Sequence, residues 1–168
     1  MRNDFVVLGP KADPAGLRGA SGVTEAFRRL AAQRAPFVSR GDDSGTHEKE
    51  KEIWRAANIA PGGGWYVEAG QGMGAVLTIA SQKQAYALSD RATYLVHPAR
   101  EEMDIVAEGD ALLVNPYSVI AVNPARHPHV QHGLARGFMD YLTGPEARDI
   151  INRFAKDGRR LFFPEGAP

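Results

Sequence analysis

Pro36-Phe37-Val38-Ser39-Arg40-Gly41-Asp42-Asp43-Ser44-Gly45-Thr46 passes from an apolar run through a polar turn into a helix start. Residues 36–39 read as a short strand, and the glycine-containing turn over residues 40–46 ends it. The spacing of Ile53, Trp54, Ala56 and Ala57 predicts a helix over residues 45–58, with those side chains on its inner side. The pattern then repeats. Residues 61–64 read as a turn, 65–68 as a strand, 69–74 as a second glycine-rich turn and 75–84 as a helix. Residues 86–88 follow as a strand, and Ser89-Asp90 caps a helix reaching Leu95.

Upstream, residues 5–8 predict a buried strand stopped by Gly9-Pro10, and residues 14–22 read as loop. Apolar residues at 26, 27, 30 and 31 predict a helix over residues 24–34, with Thr24 as its N-cap. Downstream, residues 104–107 and 118–122 read as strands. Residues 130–143 form an amphipathic helix ending at Gly144, and Pro145 opens another helix running to Phe154. The tail over residues 161–164 is apolar and extended. Strands alternating with helices predict an α/β fold, which places ligands at strand-to-helix turns.

The 168 residues bury a real core in a default single domain. Twenty basic and twenty acidic residues cancel, which argues against a nucleic-acid or membrane-surface binder. There is no cysteine, so disulfides, thiolate chemistry and Cys-ligated metals are excluded. No apolar run reaches membrane-spanning length, and residues 1–10 do not have the layout of a secretory signal.

The turn over residues 39–46 carries the chemistry. The first amides of a helix lack internal partners and sit at the positive end of its dipole, so an anion is stabilised there. Gly45 permits close backbone approach, Ser44 and Thr46 add hydroxyl donors, and Arg40 adds a planar charged fork. Asp42 is placed to hold that guanidinium. The plainer alternative stands at even weight: Asp43 or Ser44 caps the helix, and Arg40 pairs with Asp42 on the surface. A phosphate-loop NTPase is excluded because no Gly-Lys-Ser/Thr follows, and the Arg-Gly-Asp tripeptide is too short to carry an adhesion reading.

Arg40-x-Asp42-x-Ser44-Gly45-Thr46 resembles the oxyanion-contacting turn of periplasmic phosphate-binding proteins. The longer string over residues 37–47, with Glu50 and Trp54, is similar to the tungstate-binding proteins of tungstate ABC importers. Residues 3–10, Trp65-Tyr66, residues 68–74, 89–95, 115–120 and 161–164 resemble the same family. The resemblance implies an α/β type II periplasmic-binding-protein fold, with one lobe largely complete and the other truncated. Residues 1–125 would hold the crossover strands and second lobe. Residues 126–168 would hold C-terminal helices and a tail that normally pack on the first lobe. The family's further ligands lie in a Thr/Ser-rich turn near the start of the mature protein, and this sequence has no match to it.

By the same resemblance, Arg40, Ser44, Gly45 and Thr46 are the expected oxyanion ligands and Asp42 their support. Gln71, Gly72 and Met73 form a secondary contact, read otherwise as a tight turn entering a helix. The implied function is capture of tungstate as the solute-binding component of an ABC importer, with molybdate or phosphate as alternative ligands. The implied partner is a membrane permease, and the implied location periplasmic or extracellular. No cofactor, metal or catalysis is expected. A non-binding fragment that self-associates through a face exposed by truncation is a second possibility, and a serine hydrolase built on Ser44 a third. His47 and Glu50 form a His-x-x-Glu pattern, and His127, His129 and His132 cluster. Both could suggest a metal, but the first reads as a solvated Glu/Lys helix face and the second as a surface loop.

Overall fold

A computed structural model of the chain describes residues 1–156 and 158–164. Backbone contacts divide the chain into two units. One is Asp4–Asn115; the other joins Met1–Asn3 to Pro116–Pro168.

In the first unit β1 (Arg2–Pro10) lies between β4 (Ala87–Asp90) and β5 (Met103–Ala107), antiparallel to both. A strand paired on both sides and covered on both faces needs a continuous apolar run, and Phe5, Val6, Val7 and Leu8 are all buried. Gly9 and Pro10 do not stop the strand; they pair with Asp104 and Met103. Gly9 is there for space. A Cβ on it would lie 2.4 Å from the Tyr86 ring. Tyr86 is fully buried, donates to Asp13 Oδ1 at 3.0 Å and accepts from the Ala15 amide at 2.8 Å. Burial pushes its hydroxyl up to about 12.

β2 (Phe37–Ser39) runs parallel to β3 (Tyr66–Glu68), and a bridge from Phe37 to Tyr86 joins this pair to the region before β4. The helices α1 (Val23–Gln33), α2 (Gly45–Ala56), α3 (Met73–Lys83) and α4 (Arg91–Val96) alternate with these strands, as the sequence pattern predicts. Phe27 and Leu30 of α1, Phe37 of β2 and Ile53 and Trp54 of α2 meet in one core. Asp90 caps α4 as expected, accepting from the Thr93 amide at 2.9 Å. Thr24 does not cap α1. The N-cap is Gly22, and the Val23 amide bonds instead to Asp110 Oδ2 at 2.9 Å, a partner far away in sequence.

β6 (Val114–Pro116) pairs with β1. In the second unit α5 (His132–Thr143) and α6 (Pro145–Arg153) pack against each other, with Pro145 in the first turn of α6. A short β7 (Ala155–Lys156) pairs with β8 (Arg159–Arg160), and the extended tail pairs through Phe163 with Arg2. Residues 118–122 are not a strand. They are β-branched enough to predict one, but no neighbouring strand receives them, and Ile120 is 85% exposed. Among the described residues no helix is long and apolar enough to cross a membrane.

Candidate functional site

The parallel register of β2 and β3 brings two strand ends to one edge, with Ser39 opposite Glu68. The chain leaves β2 through residues 40–44 into α2, and leaves β3 through residues 69–72 into α3. The two turns are tied together: the Ala69 amide donates to the Ser39 carbonyl at 2.9 Å, and the Gln71 amide to the Arg40 carbonyl at 3.3 Å. This brings Gln71, Gly72 and Met73 beside the Arg40 turn. Gly72 is the N-cap of α3 and offers no side-chain cap. Two helix N-termini therefore open at the strand-end edge where α/β sheets hold ligands.

Sequence makes the first turn tight. Gly41 has φ of +59°, and a Cβ there would lie 2.7 Å from the Glu68 Cβ and 3.3 Å from its Cα. An L side chain would be strained in φ and would push on the β3 backbone together. Gly41→Ala is expected to destabilise the protein by about 1–2 kcal/mol, and more if β3 cannot shift, read as a drop in melting temperature. An unchanged melting temperature would refute the close approach to Glu68.

Asp42 binds in both directions. Its Oδ2 accepts from Arg40 Nε at 3.0 Å and Nη2 at 2.5 Å, and its Oδ1 accepts from the Ser44 amide at 3.2 Å. The Ser44 hydroxyl, then the Arg40 guanidinium and the Ser44 amide, pull the Asp42 carboxyl down to about 2. Ser44 also caps α2, its Oγ accepting from the His47 amide at 3.4 Å. So the capping and pairing interactions expected of a plain helix start are all made. They leave specific donors over. The Gly45 and Thr46 amides have no partner among the described residues, and nothing lies within 4 Å of a Cβ built on Gly45. Arg40 Nη1 likewise has no hydrogen-bond partner among them. What remains is a fixed guanidinium near unpaired helix-start amides.

Beneath the turn lies a polar group that the alternating Glu/Lys pattern hid. Lys49 and Lys51 pair outward with Glu52, Glu48 and Asp43, as a solvated face does. Glu50 instead faces inward at 2% exposure, and its Oε1 accepts from Tyr66 Oη at 2.7 Å and Trp54 Nε1 at 3.1 Å. Ser39, whose Oγ accepts the Gly41 amide at 3.2 Å, also favours the charged form of this carboxyl. The signal was present: Glu50 shares the stripe of Thr46, His47, Ile53, Trp54 and Ala57.

Burial raises the Glu50 carboxyl above the ordinary glutamate value, against the pull of Ser39, Tyr66 and Trp54. A group with a raised folded pKa contributes stability that is full below its unfolded value of 4.5 and is lost as pH rises through the folded value. Glu50→Gln keeps the acceptor oxygen and removes the titration. The wild-type melting temperature is therefore expected to fall relative to Glu50→Gln as pH rises above 4.5. A difference that stays flat across the melts would overturn this.

His47 and Glu50 both spend their acceptor atoms inside the protein, His47 Nδ1 on the Asp43 amide at 3.0 Å. That imidazole nitrogen is thus turned to the backbone and not to the Ser44 hydroxyl, so the base of a serine nucleophile is not in place. His127 and His129 have ring centroids 6.1 Å apart. Among the described residues no group of three or more His, Asp or Glu could hold a metal.

The PBP superfamily domain matches residues 1–146. The tungstate-binding protein TupA of Peptoclostridium acidaminophilum is 40% identical over 171 residues, covering 99% of this chain and 60% of its own. A relative from Haloferax volcanii is 47% identical over 98% of this chain and 49% of its own. The chain thus spans about half the length of the curated relatives it matches. The solved structure of the tungstate-binding protein TupA from Desulfovibrio alaskensis G20 superposes with a TM-score of 0.83 at 41% identity, over 99% of this chain and 69% of that one.

Proposed function

The chain belongs to the PBP superfamily, and on that premise we propose that it captures a dinegative tetrahedral oxyanion, tungstate, as the solute-binding part of an ABC importer. The observation that carries the reading is the pair of unpartnered amides at Gly45 and Thr46, with free space at the Cβ side of Gly45 and Arg40 locked by Asp42 in the same turn. The anion would lie on the start of α2 and take hydrogen bonds from those amides, the Thr46 hydroxyl and Arg40. The Ser44 hydroxyl, engaged with Asp42, would contribute by holding the turn or by turning to the ligand. Gln71–Met73 would border the site from the second turn. The family and the names of the relatives support the tungstate assignment, a periplasmic location and a permease partner.

The mechanism is stoichiometric binding without a chemical step. Hydrogen bonds to a charged partner contribute about 1.5–3 kcal/mol each, so several convergent donors suffice for tight capture. A donor-only site also favours tungstate and molybdate over phosphate, which carries a proton at neutral pH and gains from an acceptor.

Isothermal titration of this chain with tungstate, molybdate, sulfate and phosphate tests the reading. Tungstate is expected to bind with a Kd below about 1 μM and phosphate at least about a hundredfold more weakly. No heat with any of the four, or a preference for phosphate, overturns it. A second reading, self-association through a second copy of the chain, is favoured by one observation. Leu134, Phe138 and Tyr141 are exposed at helical spacing on α5. Light scattering over a concentration series decides it, and a monomer throughout removes it.

A further inference from the structure

The oxyanion turn is held from behind by a histidine that the proposed ligand set does not include. His47 lies in the first turn of α2 and is 6% exposed. Its Nδ1 accepts the Asp43 amide hydrogen at 3.0 Å. A nitrogen that accepts carries no proton, so the ring is the Nε2–H tautomer. Asp43 sits at φ of +54°, in the left-handed region that aspartate enters more readily than most residues. It lies between Asp42, which grips Arg40, and Ser44, which caps α2.

We propose that His47 is a positioning residue for anion capture: its unprotonated Nδ1 pins the Asp43 amide and so fixes the Arg40–Asp42–Ser44 turn. The proposal rests on the oxyanion reading of that turn. A second proton on His47 turns Nδ1 into a donor, which the Asp43 amide cannot use. The new N–H faces a different acceptor, the Asp43 carboxylate, whose Oδ1 lies 3.5 Å away. The same residue would then be held by its side chain and released at its backbone.

The charges around the ring set the sign. Asp43 faces it from the turn, itself held by Lys51 at 3.0 Å. Glu68 Oε1 faces Nε2 from β3 at 3.9 Å, and Glu50 acts on the ring from within α2. These carboxylates take up the added positive charge, so the anion gains little from it. The loss of the pin dominates, and affinity falls on acidification.

Asparagine places its carbonyl oxygen where Nδ1 stands and does not titrate, whereas leucine fills the space and accepts nothing. Tungstate titrations of wild type, His47→Asn and His47→Leu would run from about pH 7.5 to about pH 5.5. Wild type is expected to lose affinity about fivefold over that range, the size of one hydrogen bond. His47→Asn should match wild type at the upper pH and hold its affinity. His47→Leu should start about fivefold weaker and stay flat. Changes in the ligand's own protonation act on all three alike. If wild type and His47→Asn fall together, or His47→Leu equals wild type at the upper pH, the proposal is overturned.

Nitrogen-15 spectra keep this separate from the reading it rests on. If no tungstate binds at any pH, the oxyanion reading fails, and the pin is then judged by the Asp43 amide resonance alone. That resonance is expected to move with His47 protonation in wild type and to stay still in His47→Asn. An Asp43 amide indifferent to His47 overturns the pin.

Discussion

Arg40→Ala is expected to weaken tungstate binding by more than about a hundredfold, read by calorimetry. Two losses add. The first is the direct contact: a hydrogen bond from a guanidinium to an anion contributes about 1.5–3 kcal/mol, which is tenfold to over a hundredfold. The second is Asp42. Its carboxylate accepts two bonds from Arg40, at 3.0 and 2.5 Å. The largest pull holding it ionised comes from the Ser44 hydroxyl, which the substitution leaves in place. Asp42 therefore stays negative beside an incoming dianion and repels it. Removing that charge in Arg40→Ala/Asp42→Asn is expected to recover about tenfold of the loss. Arg40→Lys keeps the charge and loses the planar fork, so it should fall between wild type and Arg40→Ala. Binding by Arg40→Ala within a few-fold of wild type would mean that the guanidinium serves only the turn.

Much of the candidate site is legible in the sequence because the residues proposed for it are local. A strand, a polar turn with Gly41 and Gly45, and a helix start all lie within one short run, and the resemblance to tungstate-binding proteins rests on the same residues. The alternation of strands and helices was legible for the same reason: periodicity is a property of neighbours. What escaped was set by distant partners. Asp110 caps α1 from across the fold, so Thr24 looked like the cap. Gly9 read as a strand stop, but Tyr86 needs its missing side chain. Residues 118–122 have strand-forming side chains and no strand to pair with. Glu50 reads with the charged face because Glu and Lys alternate around it, and only the aromatic cluster beneath shows why one carboxylate turns inward. His47 has the spacing of a metal ligand with Glu50, but its acceptor nitrogen is committed to a backbone amide that no spacing rule reveals.

Trp54→Ala is expected to be the most destabilising single change in the core, at about 3–5 kcal/mol by urea denaturation, or a fall of about 10 °C in melting temperature. Trp54 is 2% exposed and is ringed by aromatics: Phe27 at 4.4 Å between centroids, Phe37 at 5.6 Å, Trp65 at 5.8 Å and Tyr66 at 6.2 Å. Its neighbours come from α1, β2, β3 and the segment entering β3. No single element can collapse into the space it would leave, so a cavity persists. A polar loss is added, because Glu50 would lose the indole N–H as a donor while still buried. Trp54→Phe separates the two. It retains most of the ring packing and removes the indole N–H, so it should cost about 1–2 kcal/mol and act chiefly through Glu50. Natural domains hold a margin of only about 5–15 kcal/mol, so Trp54→Ala removes a large share of it. Because Glu50 and Trp54 both stand on α2, whose first amides would face the anion in the proposed site, Trp54→Phe is also expected to weaken tungstate binding modestly without unfolding the chain. If Trp54→Ala costs less than about 1 kcal/mol, the aromatic cluster does not brace α2, and the site's rigidity must come from the turn alone.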